Sequence, residues 1–220
     1  MSRTAAQWLR ILLACGVARA TAERWADVFA DEIKNGSFSK GDADVADFLP
    51  NILHESMMLE RMEENLNYTP EGLLATFSAA RITPVQAQAV GRISGKQAAD
   101  QRAIANIVYG GEWGRMKLGN IAPNDGWTYR GRGPIGITGL DNYRRVGDLI
   151  GQNLVGIPDL LSQPRFALDA CIAWWENRIP DSMLGETTAI RKRVNGGTLG
   201  LAEVRALTIK AKAALEANHA

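Results

Sequence analysis

Apolar residues recur at helical spacing along most of the chain. In the first segment, Trp8, Leu9, Leu12 and Leu13 fall on one face of a helix. No series of alternating apolar and polar residues predicts a β-strand, and no internal repeat or low-complexity linker divides the sequence. The pattern therefore predicts a mainly α protein. The predicted helices cover residues 5–14, 25–33, 48–62, 83–92, 96–108, 141–150, 164–178 and 199–217.

The segment 48–62 carries a carboxylate on its apolar face. With 100° of rotation per residue, its apolar residues fall within about 80° of arc, and Glu55 lies inside that arc. These apolar residues are Phe48, Ile52, Leu59 and Met62. Pro50 requires that the helix starts near Asp47, or else that it is kinked.

A carboxylate among apolar side chains loses hydration, which disfavours its charged form and raises its pKa. Such a group can act as a general acid near neutral pH. Two structural interpretations of Glu55 stay open. It could be buried within a hydrogen-bond network, or a kinked helix could turn it outward.

Residues 109–139 differ from the rest of the chain. They hold nine of the 22 glycines, with aromatic residues and arginines between them. This composition predicts a long loop with room for a short hairpin. A long loop in a compact domain is usually functional.

The composition is that of an ordinary globular protein, with a net charge of +1. Residues 21–64 hold eleven acids against four bases, so this part carries −7 and the remainder +8. Without a clear basic excess we predict no nucleic-acid partner. The apolar run at 11–15 is short and flanked by arginines, so we expect no cleaved leader and no stable membrane insertion.

The cysteines and histidines do not form a recognisable metal motif. Cys15 and Cys171 are far apart in apolar stretches, which predicts buried free thiols. His54 and Glu55 resemble the start of a zinc motif, but the position four residues after His54 is Met58. The other histidine is His219, near the end of the sequence. We therefore predict no metal and no organic cofactor.

Several segments together resemble the family 19 glycoside hydrolases, and among them the phage endolysin branch more than the plant chitinases. The resemblance covers about residues 20–200. It rests on F-L-P-N-I-L-H-E-S (48–56), E-E-N-L-N-Y (63–68), Y-G-G (109–111), R-M…G-N (115–120), D-G-W-T-Y-R-G-R-G-P-I-G-I-T-G (125–139), D-N-Y (141–143) and V-N-G-G (194–197). The combination of the H-E-S and R-G-R-G blocks in this order is specific to the family.

The resemblance implies a lysozyme-like fold and an inverting mechanism. It implies that Glu55 is the general acid and that Glu64 is the base. Thr138 matches a hydroxyl residue that helps to hold the attacking water. Asn195 matches an asparagine that binds the sugar or the water.

The spacing of the two glutamates adds a physical condition. Nine residues on one continuous helix would separate Glu55 and Glu64 by roughly 13 Å along the axis. Inversion needs carboxyl groups about 6.5–9.5 Å apart, so the helix must end near Met62. Glu63 and Glu112 are competing candidates for the base.

The loop 125–139 offers contacts for a sugar chain. Trp127 and Tyr129 can stack on sugar rings, while Arg130 and Arg132 can bind a carboxylate or lactyl group. Alternatively, the aromatic residues belong to the core and the arginines pair with the acidic helix. The predicted substrate-binding residues are His54, Tyr68, Trp127, Tyr129, Arg132 and Asn195.

The sequence departs from the family pattern in two places. Gly136 stands where the family usually has Gln, which removes a sugar contact. Residues 110–120 carry Glu112, Trp113, Lys117 and Leu118 in a segment that is usually shorter or different. Both departures bear on the substrate more than on the reaction type.

We therefore predict one catalytic domain over residues 1–220, with two lobes around a substrate cleft and no separate cell-wall-binding domain. A small lobe around residues 65–108 is one arrangement. The predicted enzyme is a monomeric endolysin that hydrolyses the bond between N-acetylmuramic acid and N-acetylglucosamine in peptidoglycan. It would be made in the host cytoplasm and reach the periplasmic wall through a phage pore. A chitinase and a non-catalytic glycan-binding module are the alternatives.

Overall fold

A computed structural model describes residues 2–218 of the chain. Within this range the chain forms twelve α-helices and two short 3-10 helices, the latter at Pro158–Ser162 and Asp181–Met183. The α-helices are α1 (Ala5–Cys15), α2 (Arg19–Glu32), α3 (Asp42–Glu55), α4 (Pro70–Thr76), α5 (Pro84–Val90), α6 (Gln101–Val108), α7 (Gly111–Leu118), α8 (Asp125–Thr128), α9 (Leu140–Ile150), α10 (Pro164–Arg178), α11 (Thr187–Asn195) and α12 (Leu201–Ala217). The mainly α prediction is confirmed.

Side chains next to the helix ends explain where several helices begin. Before α1, the Thr4 hydroxyl accepts from the Gln7 N–H, and the Gln7 side chain accepts from the Thr4 N–H. The same capping box forms between Thr83 and Gln86 at α5. Such caps supply partners for backbone N–H groups that the first turn leaves unpaired, and each contributes about 1 kcal/mol.

The described chain divides into two compact units. The first contains the residues up to Met62, Gly133–Gly136 and the residues from Leu160 onward. The second contains Glu63–Arg132 and Ile137–Asp159. Residues 65–108 all belong to the second unit, which extends beyond them.

The first unit is built around large aromatic residues. Trp8 and Phe29 lie with ring centres 5.0 Å apart, and Phe48 and Trp175 lie 5.5 Å apart. All four are fully buried, and each contributes roughly 1.5–3 kcal/mol from burial alone. Helix α3 packs against α11 and α12 in this unit, so its C-terminal end is fixed by the core.

The second unit has a smaller core, and helices α4, α5 and α6 supply most of it. Helix α6 also packs against α7 and α8. The buried residues of this core are Leu66, Leu73, Phe77, Ile82, Ala87, Ile104, Ala105 and Val108.

Several predicted boundaries were wrong. The helix predicted over 48–62 is α3, which begins at Asp42 and ends at Glu55, with Pro50 in its interior. The helix predicted over 96–108 begins at Gln101. The predicted loop 109–139 contains α7 and α8, and its short hairpin is present as a bridge between Arg132 and Ile137. Helices α4 and α11 were not predicted, because both are short and weakly patterned.

Three further observations concern the described residues. None of their helices is long and apolar enough to span a membrane. No cluster of His, Cys, Asp and Glu within residues 2–218 could hold a metal ion, and His219 lies outside that range. Cys15 and Cys171 are buried free thiols, as predicted. Burial raises the pKa of Cys15 to about 11 and that of Cys171 to about 12.

Asp47 is a buried acid whose charge is poorly compensated. Its Oδ2 accepts from the Gly185 N–H at 2.6 Å, whereas its Oδ1 and the Oδ1 of Asn51, one turn later, are buried without a hydrogen-bond donor among the described residues. Burial raises the pKa of Asp47, and the charge of Asp44 adds to this, against the Gly185 bond and the charge of Lys212. The folded state therefore retains this proton where the unfolded chain has lost it. The protonated Asp47 carboxyl therefore contributes fully to the free energy of unfolding below its ordinary pKa. This contribution is lost as pH rises through the pKa of Asp47 in the folded state.

We expect Asp47→Asn to stabilise the protein at neutral pH by about 1 kcal/mol, because a neutral amide can be buried without holding a charge or binding a proton. The melting temperature at pH 7 should rise by about 2–4 °C, and less at pH 4. Circular dichroism melts across this range measure the effect. Asp148→Asn, at an exposed position on α9, is the matched control. Identical pH dependence in wild type and Asp47→Asn would contradict the assignment.

Candidate active site

Glu55 is the last residue of α3, and this changes its predicted surroundings. The helix does not continue to Met62, so Glu55 does not lie on an apolar face between Ile52 and Leu59. Its side chain is 28% exposed, and its Oε1 is buried against Nη1 of Arg191 in an ion pair. The expectation of a carboxylate enclosed by apolar side chains is therefore wrong, because the helix stops before the second half of the apolar arc.

Arg191 is the partner that the sequence did not reveal. Its side chain is only 2% exposed, and its Nε donates to the Leu199 carbonyl at 2.7 Å. Residue 191 lies on α11, a nine-residue helix rich in basic residues, a composition that is typical of a solvent-exposed segment. The sequence carries no signal that one of those cations turns inward.

An unusual turn follows Glu55. Met57, Met58 and Leu59 have φ of 50°, 61° and 67°, in the left-handed region where each residue costs roughly 1–2 kcal/mol. The Ser56 hydroxyl supports the turn, since it donates to the Ile52 carbonyl at 2.6 Å and accepts from the Leu59 N–H at 2.8 Å. Leu59 is itself buried. This turn ends the helix without a glycine.

His54 and Asn195 lie in the same unit as Glu55. A Cβ at Gly200 would overlap the His54 ring, so this glycine allows the close approach. Asn195 holds the turn before α12, because its Nδ2 donates to the Leu199 carbonyl and its Oδ1 accepts from the Gly197 N–H. Both Asn195 atoms retain capacity for one further bond, so its role toward a sugar stays a prediction.

Glu64 is held by three contacts in the second unit. Its Oε2 accepts from the Tyr109 hydroxyl at 2.6 Å, and its Oε1 accepts from the Gly131 N–H at 2.6 Å. The Glu64 N–H donates to the Gly131 carbonyl at 3.0 Å. A Cβ at Gly131 would lie 3.2 Å from the Thr138 hydroxyl and 3.4 Å from the Glu64 carboxyl carbon. Glu64 and Thr138 therefore flank the same glycine.

Glu63 has a different environment. It pairs with Arg130 at 2.6 Å and with Arg132 at 3.7 Å. The Arg132 side chain is 2% exposed and also contacts the Thr128 carbonyl, the Tyr143 hydroxyl and Asp159. Its guanidinium is buried and its Nη atoms are used by the protein, which favours the alternative that this arginine pairs with acidic residues, so its role toward a substrate stays a prediction.

The aromatic residues of the loop separate into two kinds. Tyr129 is 8% exposed, its ring lies 5.3 Å from that of Tyr143, and its hydroxyl bonds to a backbone carbonyl. Its burial favours the alternative that Tyr129 belongs to the core, and its role toward a sugar stays a prediction. Trp127 is half-buried and lies 4.0 Å from the Arg130 guanidinium. Tyr68 is half-buried against Phe77.

Glu112 and Gly136, where the sequence departs from the family pattern, are both at the surface. Glu112 is 77% exposed and pairs with Arg115 on the same helix, and the structure gives it no contact with Glu64. Gly136 has φ of 67°, and no other part of the described chain lies within 4 Å of the place that a Cβ would take. A side chain at residue 136 would have space but a strained backbone.

Each unit thus supplies one carboxylate with a distinct set of partners. Glu55 faces a buried cation, and Glu64 accepts two hydrogen bonds beside a hydroxyl. Glycoside hydrolysis uses two acidic groups in different environments, and each unit by itself holds one candidate.

Comparison with known proteins identifies the family. A protein of Haemophilus influenzae described as a glycosyl hydrolase family 19 domain-containing protein is 32% identical over 156 residues, which are 71% of this chain and 72% of that protein. The chain belongs to glycoside hydrolase family 19. It is therefore a glycoside hydrolase, and a chitinase-like one.

Other family 19 proteins match parts of the sequence. The family model described as chitinase class I matches residues 115–183. Chitinase 11 of rice (Oryza sativa subsp. japonica) is 42% identical over 64 residues, which are 29% of this chain and 25% of that protein. Chitinase 8 of rice is 43% identical over 51 residues, or 23% of this chain and 20% of that protein.

The family 19 fold is also found in a solved structure. Chitinase C from Streptomyces griseus aligns with a TM-score of 0.51 and 18% identity, covering 98% of this chain and 76% of that one. This similarity confirms the fold class, which is mainly helical and lysozyme-like.

Proposed function

We propose that this family 19 enzyme hydrolyses the β-1,4 bond between N-acetylmuramic acid and N-acetylglucosamine in bacterial peptidoglycan, with inversion. The oxygen of a water attacks the anomeric carbon, and the bond from that carbon to the glycosidic oxygen breaks. Glu55 gives its proton to the departing oxygen, and Glu64 takes a proton from the water. Thr138 helps to hold that water, and Asn195 binds the sugar or the water.

The observation that carries the assignment of the base is the way Glu64 is held. Its two oxygens accept from Tyr109 and Gly131, which fixes the carboxylate in one orientation while each oxygen keeps a further lone pair. The Thr138 hydroxyl lies beside the same Gly131, 3.2 Å from the place that a Cβ would take. A water that bonds to both groups would be oriented as well as activated.

The environment of Glu55 supports a different role. Its Oε1 is occupied by Arg191, so we assign the transferable proton to Oε2. In the protonated acid, Oε1 is the carbonyl oxygen and can still accept from the guanidinium. Arg191 then orients the acid. This arrangement replaces the apolar enclosure that the helical pattern predicted.

Positive charge beside an aromatic ring favours peptidoglycan as the substrate. Trp127 can stack on a sugar ring, and the exposed Arg102 lies 6.0 Å from the Trp127 ring. N-acetylmuramic acid carries a lactyl group that is anionic wherever no peptide is attached, whereas chitin has no carboxylate. With Arg132 buried, Arg102 is the cation that we assign to this group.

Chitin is the second candidate substrate. The matches to the rice chitinases and the similarity to chitinase C favour it. The two polymers share the β-1,4 bond between amino sugars, so the same carboxylates serve either reaction.

The cellular role follows from the peptidoglycan proposal. We propose a monomeric endolysin with one catalytic domain, without cofactor, that reaches the wall through a phage pore and causes host lysis. We further propose that Tyr68 and His54 each bind a sugar.

Mass spectrometry of digested peptidoglycan tests the proposal. We expect disaccharide fragments that each carry one added water, and borohydride reduction identifies which sugar holds the new reducing end. A parallel digest of chitin oligomers should proceed at least tenfold more slowly. Release of fragments from chitin alone would replace the peptidoglycan assignment by the chitinase one. Absence of new reducing ends with either polymer would support a glycan-binding module.

A further inference from the structure

Arg81 lies in a box of aromatic rings close to Glu64, and the reaction described above does not use it. Its guanidinium carbon is 4.6 Å from the Phe77 ring, 5.2 Å from the Tyr109 ring and 4.0 Å from the Trp113 ring. Its Nε donates to the Val108 carbonyl at 2.8 Å. The box joins the end of α4, the end of α6 and the first turns of α7 around one cation.

Several groups act on the charge of Arg81. Burial lowers its pKa, while the Tyr109 hydroxyl and the Glu64 carboxylate oppose this. An arginine keeps its charge under such conditions because its ordinary pKa is above 12. The three rings then attract it through their π faces. The result is a fixed positive charge that contacts the Tyr109 ring and interacts electrostatically with the Glu64 carboxylate.

Tyr109 connects Arg81 to Glu64, because its ring contacts the guanidinium and its hydroxyl donates to the carboxylate. Burial, then the charge of Glu64 and the hydrogen bond to it, raise the pKa of Tyr109 far above its ordinary value. The hydroxyl therefore stays protonated and donates to Glu64 at every working pH. Without this donor Oε1 would keep its bond from the Gly131 N–H, but Oε2 would lose the bond from Tyr109 and the carboxylate would be less firmly oriented.

Trp113 belongs to the segment in which the sequence departs from the family pattern. It is half-buried on α7 and makes the shortest of the three ring contacts with Arg81. Arg81 is half-buried, and loss of the Trp113 ring would remove its shortest ring contact.

We propose that Arg81 and Trp113 are positioning residues that act through Tyr109 to fix the Glu64 carboxylate for attack by water. Helix α7 thereby contributes to the rate of this enzyme without touching the reacting atoms. The inference rests on the proposed role of Glu64 as base.

The test compares kinetic constants of purified variants on peptidoglycan. Tyr109→Phe keeps the ring and removes the donor, and we expect kcat to fall roughly 10-fold or more, with KM changed less than twofold. Trp113→Ala should lower kcat in the same way, and Trp113→Phe should restore most of it. Met116→Ala, at an exposed position on the same helix, should match the wild type.

A double-variant cycle separates positioning from general stability. If Trp113 acts through the Tyr109 hydroxyl, Trp113→Ala should cause little further loss of kcat in the Tyr109→Phe background. Lower melting temperatures with unchanged kcat, or fully additive losses, would overturn the proposal. Glu64→Gln distinguishes the two levels. An inactive Glu64→Gln beside a Tyr109→Phe with wild-type kcat would overturn only the positioning role of Arg81 and Trp113. An active Glu64→Gln would overturn the assignment of Glu64 as the base.

Discussion

Replacement of Glu55 by Gln is expected to reduce glycan hydrolysis roughly 100- to 10,000-fold, the usual contribution of a general acid. The amide oxygen can still accept from Arg191, so the local geometry is retained, but no proton can be given to the departing oxygen. Turnover of purified peptidoglycan, measured as reducing ends released, gives the rate. KM should change little because the side chain keeps its shape.

The control for Glu55→Gln must account for the lost ion pair between Glu55 and Arg191. Arg191 is buried, and the loss of its counter-charge lowers the stability of the fold. The melting temperature of Glu55→Gln therefore has to be measured, and the assays run well below it. Glu203→Gln, at an exposed position on α12, should keep full activity. A folded Glu55→Gln enzyme with the wild-type rate would remove the proposed proton donor.

Glu64→Gln is expected to have the second large effect, again roughly 100- to 10,000-fold in kcat. An amide cannot take a proton from water. Its nitrogen also cannot accept a hydrogen bond, so one of the two donors, the Tyr109 hydroxyl or the Gly131 N–H, loses its acceptor and the orientation changes together with the chemistry. The rate of reducing-end release from peptidoglycan measures the effect.

The two rival bases give matched comparisons. Glu63→Gln removes the ion pairs with Arg130 and Arg132, so we expect a lower melting temperature with kcat nearly intact. Glu112 is exposed and pairs with Arg115, and Glu112→Gln should behave as wild type. Inactive Glu63→Gln or Glu112→Gln beside active Glu64→Gln would transfer the base to that residue.

Substitutions in the loop 125–139 are expected to differ in their effects from those at the two glutamates. Arg132 and Tyr129 are buried, so substitutions there are expected to act through stability rather than through substrate contacts. Trp127 is half-buried and Arg102 is exposed, so a sugar could reach both.

Helical periodicity sufficed for four of the longer helices. α1, α9, α10 and α12 lie close to their predicted ranges because each presents a whole apolar face to a core. The short helices were missed for a different reason. α7 begins at Gly111 and ends before Gly119, so its glycines indicate a loop by composition. Its packing against α6 stabilises it as a helix.

The main error of the sequence analysis concerned the surroundings of Glu55. The arc around Glu55 assumed a helix to Met62, but three consecutive left-handed residues without glycine end it seven residues earlier. Local propensity disfavours such a turn, and the buried Leu59 and the Ser56 hydroxyl stabilise it. The sequence could not indicate it.

The sequence alone determined the mainly helical class and the family, since periodic apolar faces and short motifs are local properties. It also identified two glutamates as candidates. Only the tertiary structure decided the partners of those glutamates, namely Arg191 for Glu55 and Tyr109 with Gly131 for Glu64. It likewise decided that Tyr129 and Arg132 are core residues. The physical reason is that burial and charge pairing depend on residues far apart in the chain, which no local pattern encodes.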